Sequence, residues 1–173
     1  NRAERLEEVV REIIAERRQR GLGGDVISAM LRALEDGEPW IEADDIVGQI
    51  TLLLGASYDT TAQALIWAFF LLAQHPDTGA ALAEELDGAG DPAGLDLEML
   101  DALPLLDGVV KETLRLFPPV PYTLRICTAP STLGSLSLRR GDRVVCSHFF
   151  THRAPECFER PLRFDPWRWQ DIT

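Results

Sequence analysis

Lys111-Glu112-Thr113-Leu114-Arg115 and, further along, Phe164-Asp165-Pro166-Trp167-Arg168-Trp169 are the stretches that decide how this chain is read. Glu112 and Arg115 stand three apart on a strongly helical segment, so they share one helix face and can hold each other. Arg168 follows a proline-broken loop and can close a three-membered ion cluster. On a helix surface such an i,i+3 pair is common and contributes only a few tenths of a kcal/mol. A lone Arg168 is equally well read as a loop cation beside Trp rings. Inside an apolar fold the same charges need each other, because an unpaired buried charge is costly.

Working outward, the 173 residues suffice for one domain with a core. Hydrophobic residues make up 46% and charged residues 26%, a globular rather than a disordered balance. The net charge of −11 argues against nucleic acid as a partner, since phosphate neutralisation needs clustered Lys and Arg. Arg17, Arg18 and Arg20 follow acidic residues and read as a solvated helix end. Cys127, Cys146 and Cys157 form no CxxC pair and no metal-ligand pattern. They predict reduced thiols in a cytoplasmic setting, with Cys127 and Cys146 packed on strands. Asn1 opens a charged helix, so no signal peptide is expected, and without an initiator Met the chain is expected to start inside a longer protein. The longest unbroken apolar run, Ala64 to Ala73, is ten residues, too short to cross a bilayer, so no membrane segment is expected in this chain.

The pattern predicts a mainly α chain with a small β region, an α+β fold. Leu6, Val9, Val10, Ile13 and Ile14 sit at helical spacing in a first helix over 1–20. Asp25 caps a second, short helix. A long helix is predicted over about 43–74, stopped at His75-Pro76, and its apolar middle predicts burial on all sides. A helix over about 78–86, a short one near Leu97 and the motif helix over about 103–117 follow, the last ended by Pro118-Pro119. Short strands are predicted at 120–128, 133–138 and 143–147, with an irregular segment after 151.

Within the long helix, Ala56-Ser57-Tyr58-Asp59-Thr60-Thr61 puts polar groups where partners are needed. A Thr60 hydroxyl bonded back to the Ala56 carbonyl would bend the helix and open room beside the backbone. Asp59 beside Thr60 then forms an acid and hydroxyl pair suited to passing protons. A self-satisfied Thr pair with Asp59 on a wet edge is the plainer alternative. Asp44-Asp45 raises a magnesium-dependent isoprenoid enzyme, but the further acid that chemistry needs would stand at position 48, which is Gly.

Taken in order, the Asp59-Thr60 helix ending at His75-Pro76, Lys111 to Arg115 before Phe117-Pro118-Pro119, Arg125 before the Gly141-Asp142 turn, and His152-Arg153-Ala154-Pro155 before Phe164 to Arg168 resemble the cytochrome P-450 family of haem-thiolate monooxygenases. The resemblance runs over essentially the whole chain. It implies a partial fold of that family built round one long buried helix. Residues 1–173 would form an incomplete domain, helical over 1–117, with short strands over 118–150 and an irregular 151–173.

What the resemblance implies for the site follows position by position. Asp59 and Thr60 would be catalytic, relaying protons in dioxygen activation. Ala56, Ser57 and Thr60 would face the haem, and Arg125 would pair with a haem propionate. Ser57 replaces the family's glycine, which bears on the width of the oxygen groove. Glu112, Arg115 and Arg168 would form a structural ion cluster that locks the loop before the haem ligand. Ile50, Leu53, Leu54, Tyr122, Thr123 and Leu124 would line the substrate pocket. The thiolate Cys of the family is expected beyond Thr173, so no metal ligand is expected in this chain; Cys157, with acidic neighbours and no glycine, does not match it. The implied cofactors are haem and O2, with NAD(P)H-derived electrons arriving through a ferredoxin or a flavoprotein reductase. The implied substrate is a small apolar organic molecule, and the fragment alone would be inactive. A non-catalytic helical module derived from the same family, with an interaction role, is the alternative.

Overall fold

The computed structural model describes residues 2–39, 41, 42, 45–91 and 94–170. In chain order it contains α1 (Arg2–Arg20), α2 (Val26–Glu35), α3 (Ile46–Gln74), α4 (Pro76–Ala89), α5 (Leu97–Asp101) and α6 (Pro104–Leu116). Then come β1 (Tyr122–Ile126), β2 (Ser131–Leu133), β3 (Leu136–Leu138), β4 (Arg143–Ser147), α7 (His148–Thr151) and a closing 3-10 turn, Pro166–Gln170. The mainly helical chain with a small β region is as read from the pattern.

Two compact units divide the chain, residues 1–59 and 60–173, with α3 running from one into the other. In the first, Val10 and Ile14 of α1 pack with Met30 and Leu31 of α2 and with Ile41, Ile46 and Ile50. Asp25 caps α2 by accepting from the Ser28 amide at 2.8 Å. In the second, Leu71, Leu82, Leu105, Val109, Leu116 and Phe164 form the core.

Several expectations need correction. The long helix starts at Ile46 rather than near 43; Ala43 and Asp44 lie outside the described residues. Its middle is not buried: Leu52 is 71% exposed, Tyr58 75% and Phe69 69%. An all-round apolar helix needs cover on every side, and the described residues bury Ile46 and Ile50 near one end and Leu71 near the other. α4 is longer than 78–86 because Pro76 sits at N1, where its missing N–H costs nothing. The segment 133–138 is not one strand. Gly134, with φ +59°, turns it into the β2–β3 hairpin, Leu133 opposite Leu136. β1 pairs antiparallel with β4, Tyr122 opposite Ser147 and Arg125 opposite Val144. Cys146 on β4 is exposed, not packed. α7 and the 3-10 turn order parts of the tail that composition reads as strand end and irregular coil.

α6 carries the motif and is held at both ends. Glu85 of α4 accepts from the amides of Leu105 and Leu106, both at 2.9 Å, satisfying donors that no α6 side chain reaches. Gly108 lies so close to the 3-10 turn that an added Cβ would sit 2.4 Å from the Pro166 carbonyl oxygen.

Candidate functional site

Glu112 and Arg115 project from the buried face of α6, with side chains 0% and 1% exposed. Arg115 Nε donates to Glu112 Oε2 at 2.8 Å, and Nη2 to Oε1 at 2.9 Å, a bidentate pair. Its remaining donors reach carbonyls of the tail: Nη1 to His152 at 2.6 Å and Pro161 at 2.7 Å, Nη2 to Arg163 at 3.1 Å. All five guanidinium N–H groups are thereby used. Glu112 Oε1 also accepts from Arg168 Nε at 3.1 Å and from the Asp165 amide at 2.9 Å, and Oε2 from Trp169 Nε1 at 3.0 Å. Burial on its own would raise the Glu112 carboxyl. The Arg115 hydrogen bond, the Asp165 amide and the charges of Arg115 and Arg168 outweigh it and hold the group below the ordinary carboxylate value.

This cluster brings together Glu112, Arg115 and Arg168. Every donor of Arg115 is engaged and both Glu112 oxygens are crowded, so nothing remains to bind a substrate. Its chemical capacity is to fasten the segment from His152 to Trp169 onto α6. Sequence reasoning missed Trp169 and the Asp165 amide as members, although both lie within the quoted 164–169 stretch.

On the same unit, an apolar cavity of about 500 Å³ is lined by Thr60, Thr61 and Ala64 of α3, Leu114 of α6, Pro118, Pro119 and Val120 after it, and His148 and His152. Its size falls in the range of small-molecule sites. His152 Nδ1 is buried and has no hydrogen-bond partner among the described residues. Burial is the largest influence and lowers the His152 pKa; a hydrogen bond to the Arg115 backbone opposes it, and the nearby positive charges of His148, Arg115 and Arg153 act with the burial. The imidazole is therefore held toward its neutral form. Thr61, Leu114 and His148 were not assigned to the site in sequence, although Thr61 and Leu114 lie inside the quoted motifs; His152 was quoted in the His152 to Pro155 motif, without a site role.

Other predicted residues fall elsewhere. Asp59 is exposed and does not line this cavity. Ser57 Oγ donates to the Leu54 carbonyl at 3.2 Å within the helix. Ile50, expected on a pocket wall, is 1% exposed and belongs to the first core, because its helix face is the one α1 and α2 residues cover. Leu53 and Leu54 are exposed on α3. Tyr122 and Leu124 are exposed on β1, with Thr123 half-buried between them. Arg125 is exposed, its Nη1 donating to the Leu124 carbonyl at 3.0 Å. Cys127 contacts the Ala129 carbonyl and Ser131 Oγ, and Cys157 lines a separate polar cleft with Glu159 and Asp165. None of the three cysteines lines the apolar cavity. Among the described residues, no group of three or more His, Cys, Asp or Glu is placed to hold a metal ion, and no helix is long and apolar enough to cross a membrane.

The family model for cytochrome P-450 matches residues 1–173. The chain is 35% identical to cyclooctat-9-en-7-ol 5-monooxygenase of Streptomyces melanosporofaciens, over 95% of this chain and 36% of that protein. It is 38% identical to the mitochondrial 25-hydroxyvitamin D-1 alpha hydroxylase of Rattus norvegicus, over 75% of this chain and 26% of that protein. Among solved structures, a zebrafish cytochrome P-450 with progesterone superposes with a TM-score of 0.85 at 25% identity, over 96% of this chain and 41% of that one. The retinoic acid bound cyanobacterial CYP120A1 does so at 0.85 and 30% identity, over 99% and 40%. The chain thus spans well under half the length of the relatives it matches. With a family match along its whole length and the buried Glu112–Arg115–Arg168 cluster in place, the chain belongs to the cytochrome P-450 family.

Proposed function

We propose that the protein carrying this chain is a haem-dependent monooxygenase that inserts one oxygen atom of O2 into a small apolar organic substrate. Electrons come from NAD(P)H through a ferredoxin or a flavoprotein reductase. The 173 residues are then a central to C-terminal part of that enzyme, inactive alone. The observation that carries the reading is the apolar cavity with Thr60 and Thr61 on its wall. Relatives named for cyclooctat-9-en-7-ol and for 25-hydroxyvitamin D support it.

The residues present fit one face of a haem. The walls from Thr60 to Ala64, Leu114 and Pro118 to Val120 suit a flat apolar group, and the unpartnered His152 Nδ1 is a polar atom left for a ligand or water. Arg125 offers a guanidinium for a carboxylate. Cys127, Cys146 and Cys157 do not line the cavity, and in this reading the thiolate ligand is a cysteine outside these residues. The bound haem supplies the activation of dioxygen. The chain's own residues do the rest: the apolar walls offer a surface for an apolar ligand, Thr60 holds a proton at its hydroxyl beside the cavity, and Asp59 exchanges protons with solvent from the exposed side of the same turn. The ion cluster fixes the tail that follows α6.

Thr60→Ala tests the reading in the full-length enzyme. Loss of a proton-passing group removes about two to four orders of magnitude from the step it serves. The expected result is lower product formed per NAD(P)H consumed, with peroxide released instead. Unchanged coupling would count against the proton role of Thr60.

A further inference from the structure

Arg153 has no part in the ion cluster, yet it touches α7 and the end of α6, and reaches α3 through Phe117. Its Nη2 donates to the carbonyl of Leu116, the last residue of α6, and its Nη1 reaches the Phe149 carbonyl of α7 at 3.4 Å. Its guanidinium lies 3.7 Å from the centroid of the Phe149 ring and 5.8 Å from that of Phe117. Phe117 in turn stacks on Trp67 of α3, centroids 4.1 Å apart and planes within 6°. One cation thus joins α3, the end of α6 and α7 in a row, Trp67–Phe117–Arg153–Phe149. The cavity's walls are the next residues along those elements: Thr61 and Ala64 on α3, Pro118 and Val120 past α6, His148 and His152 at α7.

The Arg115 bond to the His152 carbonyl and the Phe149 amide's bond to the Pro121 carbonyl at 3.0 Å already tie α7, and Arg153 adds a link from the Phe149 ring to the end of α6. α7 is four residues long, and helices that short are not stable by themselves. Pro118 and Pro119 offer no amide to tie the segment after α6 down. A guanidinium is suited to the task because it donates in plane while its faces stack on aromatic rings.

We propose that Arg153 is a positioning residue that sets the shape of the cavity by holding α7 and the Pro118–Val120 segment at fixed spacing, and so governs which ligands the cavity accepts by size. The proposal rests on the monooxygenase reading only for the identity of the ligand, not for the latch.

The test uses the full-length protein with Arg153→Met, Arg153→Lys and Phe149→Leu. The first readout is amide hydrogen exchange over 144–153, which needs no haem. Exchange should speed up about tenfold or more in Arg153→Met, less in Phe149→Leu, with the rest of the chain unchanged. The second is the ratio of affinities for 4-phenylimidazole and imidazole, read from the Soret shift. Losing a preorganised wall should weaken the larger probe about tenfold while the smaller one changes little, and Arg153→Lys should restore only part of the ratio. An exchange rate or a ratio unchanged from wild type in Arg153→Met overturns the proposal. If that variant does not fold, Phe149→Leu, which keeps the cation and removes the ring beneath it, decides in the same way. A wild-type protein with no haem signal would defeat the monooxygenase reading, while the exchange experiment still judges the latch.

Discussion

Glu112 is the residue on which most of the second unit converges. It accepts from Arg115, Arg168, Trp169 and the Asp165 amide at once. Glu112→Gln would leave Arg115 buried with its charge unmatched, so the variant should lose about 3–5 kcal/mol in urea unfolding. Its titration gives a sign as well. The folded state holds the Glu112 carboxyl below its ordinary value of 4.5, so the unfolded chain takes up the proton first. The stability it contributes is full above that value and is lost as pH falls through the lowered one. His152 acts in a higher window. Burial first, and then its cationic neighbours, lower its pKa from 6.5, so stability should already begin to drop as pH falls below that value. A thermal melt series against pH should therefore show two descending steps, and His152→Gln should remove the upper one alone. The Glu112–Arg115 spacing made the core of this site readable in sequence. Arg115's carbonyl partners at His152, Pro161 and Arg163 were not, because loop carbonyls leave no side-chain signature.

α6 is the element whose position matters, and two residues without motif status set it. Gly108→Ala would drive a Cβ into the Pro166 carbonyl, backbone against backbone, so the 3-10 turn must move. A loss of about 1–3 kcal/mol is expected, seen as a lower melting temperature, together with weaker burial of Trp169 by fluorescence. Glu85→Ala would leave the Leu105 and Leu106 amides without their carboxylate, at a cost of about 1–3 kcal/mol by the same melt. The glycine inside a strongly helical stretch was a signal that could have been used. Glu85 could not have been found, because its partners stand twenty and twenty-one residues away on another helix. Capping and period placed the helices to within a few residues. Period alone read 133–138 as one strand, because it does not weigh what Gly134 does with a positive φ. It also read the middle of α3 as buried, since a pattern of apolar residues records what needs cover and not which chain supplies it.

At the scale of the molecule, that uncovered stretch joins the comparisons. Leu52, Tyr58, Leu65, Ile66 and Phe69 are exposed on one helix of a chain that spans 36% of one relative and 40% of one solved structure. Single exposed apolar residues are ordinary, but a run of them along one helix is not. Whether this is a haem-thiolate monooxygenase whose ligand lies outside these residues is tested most directly by the reduced, CO-saturated difference spectrum, taken on the full-length protein and on the 173-residue chain side by side. The account predicts a band near about 450 nm from the full-length protein and none from the chain alone, because that position reports thiolate ligation. A full-length protein without the band, or an isolated chain that shows it, would contradict the account.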